Sequence, residues 1–88
     1  MDGALLEIDG GVHEIEILRV ERVDATRSAV SVRAGVKLDR GRSCVLNARG
    51  REIDSVISNV MPMGDVWVVE LRCLEEAESL MSRTTNLE

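Results

Sequence analysis

Hydrophobic and polar residues alternate along most of this chain, and Gly and Asp interrupt the alternation at short intervals. Ala4 to Ile8 is a short apolar run, and Asp9-Gly10-Gly11 after it is hairpin-turn chemistry, because glycine accepts the positive φ such turns need. In Val12 to Val23, Ile15 and Ile17 alternate with Glu14, Glu16 and His13, which predicts a strand with one wet face. The phase then slips: Leu18 and Val20 carry the apolar character while Arg19 and Glu21 are polar. A slip inside a long strand predicts a β-bulge of the kind that bends a strand around a small barrel.

The stretch Arg19 to Ala34 organises the rest. A strand runs into a polar turn, Asp24 to Ser28, and a second strand follows over Ala29 to Ala34, with Val30 and Val32 on one face and Ser31 and Arg33 on the other. Gly35 to Arg42 reads as a loop from which Leu38 dips back to the core. Ser43 to Ala48 is a fourth strand, Arg49-Gly50 a tight turn, and Arg51 to Met63 a fifth strand with Ile53, Ile57 and Met61 in phase. Pro62 cannot donate to a ladder and marks that strand's end or an edge. After Gly64-Asp65, Val66 to Cys73 is the clearest strand, with Trp67, Val69, Leu71 and Cys73 facing the core and Glu70 and Arg72 outside. Leu74, Ala77, Leu80 and Met81 then fall three to four apart, which predicts a short amphipathic helix over Leu74 to Ser82. Glu75 and Glu76 suit its first turn and Arg83 its end. Six short strands with Gly and Asp turns predict a mostly β fold, a small six-stranded antiparallel barrel with a C-terminal helix at one opening. The domain spans residues 1–83, and 84–88 reads as a flexible tail whose Leu87-Glu88 is consistent with a cloning scar.

Composition narrows the function. The chain has one Trp and no Phe or Tyr, so it lacks the aromatic platform on which single-stranded nucleic acid stacks. Its net charge of −5 repels a phosphate backbone, and its ten Arg and one Lys are scattered. Nucleic acid polymers are therefore not expected as partners. A small phosphate ligand held by two or three Arg is compatible with this balance, because Arg grips phosphate through two hydrogen bonds at once. Cys44 and Cys73 form no CxxC, and the single His13 cannot complete a zinc set with them. They read as reduced, buried thiols in a cytoplasmic protein. The start lacks a basic, apolar leader, and no run approaches the ~20 apolar residues of a membrane span, so no membrane insertion is expected. No nucleophile–base pair or metal set points to an enzyme, and no cofactor is implied. His13 reads as a surface residue, Trp67 as core, and Asp24 as a turn former that bonds the backbone ahead of it.

The order strand, Asp24-x-Thr26-x-x-Ala29, Val30-Ser31-Val32-Arg33, then Val36-Lys37-Leu38-Asp39-Arg40-Gly41, followed by three strands and a short helix, resembles the PilZ domain family. The resemblance covers nearly the whole chain in layout and about ten residues in detail. It implies a six-stranded barrel and a role in bacterial cyclic di-GMP signalling. Residue by residue, it implies that Asp24 accepts from a guanine edge, Thr26 stands where the family has Ser, and Ala29 where it has Gly. The family's Arg-x-x-x-Arg pair, which grips phosphate, occurs nowhere here, and no Arg precedes Arg19. Arg19, Arg22 and Arg27 are the nearest substitutes. The resemblance therefore implies a degenerate member acting through a protein partner, with a cyclic di-GMP receptor using Arg19, Arg22, Asp24, Thr26 and Arg27 in a non-standard way as the alternative. An unrelated small barrel of SH3-like or OB type is the third reading.

Overall fold

The computed structural model of the 88-residue chain describes residues 3–75 and 77. Six strands form: β1 (Gly3–Ile8), β2 (Gly11–Arg22), β3 (Ser28–Ala34), β4 (Ser43–Ala48), β5 (Arg51–Met63) and β6 (Val66–Cys73). They close into an antiparallel barrel in the order β1-β2-β3-β6-β5-β4. Their bounds follow the alternation, because each strand has an apolar face to bury and ends where turn residues interrupt the pattern. Among the described residues there is no helix. The helix expected over Leu74 to Ser82 lies outside them except at Leu74, Glu75 and Ala77; of its expected stripe, Ala77 is buried and Leu74 is exposed.

The barrel consists of two three-stranded halves with the same registers. β1 turns into β2 through Asp9 (φ 52°) and Gly10 (φ 82°), and β4 turns into β5 through Arg49 (φ 51°) and Gly50 (φ 78°). Two successive positive φ angles give the type I′ turn, whose twist matches that of the flanking strands. Ala4 pairs Ile15 as Cys44 pairs Ser55. Ile17 pairs Val32 as Ile57 pairs Leu71, and Val20 pairs Val30 as Val60 pairs Val69. Both long strands shift register at equivalent places, at Leu18 in β2 and Ser58 in β5. The halves meet across β1–β4, where Leu6 pairs its own equivalent Leu46, and across β3–β6, where Ser31 pairs its equivalent Glu70. These relations define a pseudo-two-fold axis through the two seams. The same relation joins the two plugs of the core: Leu38, in the loop after β3, and Ala77, after β6, are both buried.

The bulges account for the strand faces. In β2, Ile15 and Ile17 point inward before the bulge and Val20 packs on the core after it, whereas Leu18 sits at the bulge with 41% of its surface exposed. Only Val20, and not Leu18, thus carries the apolar face beyond the slip. In β5, the bulge at Ser58 hands the inward position to Val60, so Met61, expected in phase with Ile53 and Ile57, lies 49% exposed. His13 shares the parity of Ile15 and is half-buried, which corrects its expected place on the wet face beside Glu14 and Glu16. Trp67 shields the core edge and is only half-buried, with the Lys37 ammonium 5.8 Å from its ring centre. Leu6, Leu46, Ile53, Ile57, Val69 and Leu71 are fully buried at the centre.

Cys44 and Cys73 are free and buried. They flank Ser55 on neighbouring strands, with Ser55 Oγ 3.3 Å from Cys73 Sγ. Burial pushes the Cys44 thiol up to about 11 and raises that of Cys73, so both are neutral near pH 7 and poor nucleophiles.

Candidate functional site

The five residues that the sequence singles out lie on the end of β2 and the loop joining it to β3. Arg19 and Arg22 belong to β2, and Asp24, Thr26 and Arg27 to the loop. Two backbone bonds close this loop: the N–H groups of Val23 and Asp24 both donate to the Arg27 carbonyl, at 3.0 and 3.2 Å. Asp24 fills the space inside. Its Oδ1 accepts from Thr26 N–H at 2.9 Å and from the Thr26 hydroxyl at 3.2 Å. Its Oδ2 accepts from Arg27 Nε at 3.0 Å and Nη2 at 2.7 Å. A short carboxylate that bonds the backbone two residues on is the Asx-turn arrangement.

This bonding fixes the electrostatics. The Arg27 hydrogen bonds, followed by the Thr26 backbone bond, lower the Asp24 carboxyl to about 2 from its ordinary 3.8. A depressed folded-state value means that the ionised form holds the loop together. Its contribution is complete above the ordinary value and is lost as pH falls through about 2. In a carbon-detected NMR titration, the Asp24 carboxyl is therefore expected to titrate near 2. In Arg27→Ala it is expected to move back toward 3.8. A wild-type midpoint at the ordinary value would contradict the bonding pattern.

The other guanidinium groups nearby are also engaged. Arg19 donates to Glu21 on the same strand, and Arg33 of β3 pairs Glu16 of β2. Arg42 reaches back to Asp9 in the first turn, and Arg51 lies 3.4 Å from Glu75. These pairs are exposed and contribute little to stability. Their functional consequence is that the positive charge of these Arg side chains is compensated locally. Ser28, expected in the polar turn, is instead fully buried at the start of β3, where its Oγ accepts from Ala77 N–H at 3.0 Å.

Two open clefts flank the seam between β1 and β4, and the sequence pattern missed both. One, of about 700 Å³, lies among Glu7, the Asp9-Gly10 turn, Cys44 and Asp54. The other, of about 300 Å³, lies among Leu5, Asn47, the Arg49-Gly50 turn and Arg51. The pseudo-two-fold axis relates them: Ser43 and Val45 line the first as Gly3 and Leu5 line the second. The first is in the size range of small-molecule sites, but its carboxylates disfavour a phosphodiester. The second carries Arg and is smaller. Neither includes any of residues 19–27. Only tertiary closure brings β1 beside β4, so no local signal could have located them. Among the described residues no group of three or more His, Cys, Asp or Glu is placed to hold a metal ion, and no helix is long and apolar enough to cross a membrane.

The outer face of the β5–β6 hairpin presents a further feature. Met61 and Met63, 49% and 60% exposed, lie beside Val68 and Val66, which are half-buried. Such an apolar strip favours contact with another macromolecule. No family model matches the chain, and no curated protein or solved structure matches it significantly.

Proposed function

We propose that this barrel is a PilZ-like module of bacterial signalling, motility or surface control that acts in the cytoplasm through protein–protein contacts, without catalysis and without a nucleic acid polymer as partner. The observation that carries this reading is the saturation of Asp24. Both of its oxygens are taken by Thr26 and Arg27 of the same loop, so a guanine edge would have to displace four existing hydrogen bonds. Displacing charge-assisted bonds to gain others of the same kind yields little net affinity. The Met61–Met63 strip supports the protein-contact side of the reading, since flexible thioether side chains adapt to a partner's relief. The second reading is a cyclic di-GMP receptor. Its support is that Asp24, Thr26 and Arg27 bond one another in the loop that follows Arg19 and Arg22 of β2, with the Arg27 side chain 50% exposed.

An NMR titration of the whole chain with cyclic di-GMP separates the two. The expected result is no shift in any amide up to about 1 mM nucleotide, corresponding to a binding free energy weaker than roughly −4 kcal/mol. Shifts clustered at Arg19, Arg22, Asp24, Thr26 and Arg27 would establish the receptor and overturn the proposed reading.

A further inference from the structure

The two long strands outrun their shorter neighbours in the same way. β1 pairs β2 only as far as Glu16, and β4 pairs β5 only as far as Val56. Beyond these points β2 keeps β3, and β5 keeps β6, as the one strand partner among the described residues. Each long strand therefore carries a backbone edge. The hydrogen bonds Gly41 N–H to Ile57 O and Ile57 N–H to Arg42 O show that the Ile57 backbone faces away from β6. Ladder bonds alternate along a strand, and the bulge shifts that alternation by one residue. Past the bulge the residues facing away from β6 are thus Val60 and Pro62, and by the equivalent register those facing away from β3 are Val20 and Arg22.

The two edges are finished differently. On β5, Asn59 Oδ1 accepts the Val60 N–H at 3.0 Å, and Pro62 has no N–H to offer. Both are devices that stop a strand from adding. On β2 the equivalent positions are Arg19 and Arg22, which supply neither a capping carbonyl nor an imino acid. Among the described residues nothing bonds the Val20 N–H or C=O. The residues around this position read Arg19-Val20-Glu21, a self-complementary order. When two such segments run antiparallel with Val20 facing Val20, Arg19 faces Glu21 of the second copy, and Glu21 faces its Arg19. Both pairs then lie directly opposite, where unlike charges stabilise a ladder. In the single chain the same two side chains already pair on one strand, so the exchange costs little.

We propose that this chain forms a two-fold dimer by antiparallel pairing of its β2 edges around Val20, with Arg19 and Glu21 exchanging partners between copies. The contact is isologous, so it closes at two copies and does not propagate into a fibre. It is short, which makes the dimer weak and concentration-dependent. It goes beyond the functional reading above and needs no ligand.

Sedimentation equilibrium of the full chain from about 10 μM to about 1 mM at low salt tests it. The expected mass rises toward twice 9.7 kDa over this range. Glu21→Arg, which sets Arg against Arg across the pairing, is expected to stay monomeric at every concentration, and Arg19→Glu likewise. The double variant Arg19→Glu with Glu21→Arg restores the pairs and is expected to dimerise like the wild type. In a mixture of labelled and unlabelled chain, an intermolecular Hα–Hα contact is expected between Arg19 and Glu21. A wild-type monomer at the highest concentration would overturn the proposal, and so would a folded Glu21→Arg variant that dimerises unchanged.

Discussion

Replacing Val69 by Asp is expected to abolish the folded state. Val69 is fully buried at the middle of β6, pairs Val32 on one side and Val60 on the other, and is fixed in the core from both. The substitution discards about 1.5–3 kcal/mol of apolar burial and places a carboxyl group where no donor reaches it, at a further cost of roughly 2–7 kcal/mol. A chain of this size has a total stability of roughly 4–13 kcal/mol, so the sum consumes most or all of it. Far-ultraviolet circular dichroism and a proton NMR spectrum would show the loss directly. A soluble mutant that melts at the wild-type temperature would mean that the faces of β6 are assigned the wrong way round.

The second large effect tests the β1–β4 seam. Leu6 and Leu46 face each other across the β1–β4 seam, and both are fully buried. Leu6→Ala and Leu46→Ala are each expected to cost about 2–5 kcal/mol, through lost transfer energy and the cavity left behind. The axis passes between them, but it relates backbone register only: Leu6 pairs the half-buried His13 where Leu46 pairs the fully buried Ile53, so the larger loss is expected at Leu46. In a small domain this means a fall of roughly 8–40 °C in melting temperature for each. Urea denaturation of the two variants supplies the comparison. A loss below about 1 kcal/mol in either would show that the seam is not the closed centre of the barrel.

The strands were legible because their signals are local. Asp9-Gly10 pairs a residue that tolerates positive φ with a glycine, and Gly50 supplies the glycine after Arg49, which marks a two-residue turn at each place. The period of two between them then leaves few choices for the strand interior. Leu38 and Ala77 were also readable as apolar residues in polar surroundings, and both are buried. The face of a residue beyond a bulge was not readable to the same degree. Met61 keeps the parity of Ile53 and Ile57 in sequence, yet the extra residue at Ser58 turns it outward. In β2 the change in polarity around Leu18 revealed the slip, whereas in β5 Val60 and Met61 are both apolar and conceal it.

For the candidate site, the composition of the β2–β3 loop was enough to name Asp24 as a turn former, since an Asp two residues before a Thr amide bonds it locally. That Arg27 would take the second oxygen was not readable, because three residues of loop can place a guanidinium on either side of the chain.

The sequence by itself determined the six strands, their turns, the loop and, away from the two bulges, the apolar set that fills the core, because each of these follows from bonding and burial within a few residues. Only the tertiary structure decided the closure of β1 on β4 and of β3 on β6, and with it the two-fold relation of the halves. Few equivalent positions keep the same residue: Gly10 and Gly50, Ile17 and Ile57, Val20 and Val60, Val30 and Val69 are among them. Elsewhere the equivalence survives as backbone register alone, because a barrel requires of most positions only an inward apolar or an outward polar side chain. Among the described residues, the same closure left one long edge finished by Asn59 and Pro62 and the other without a bond to the Val20 backbone. That difference depends on which strands end first, a property of the assembled sheet that no single segment carries.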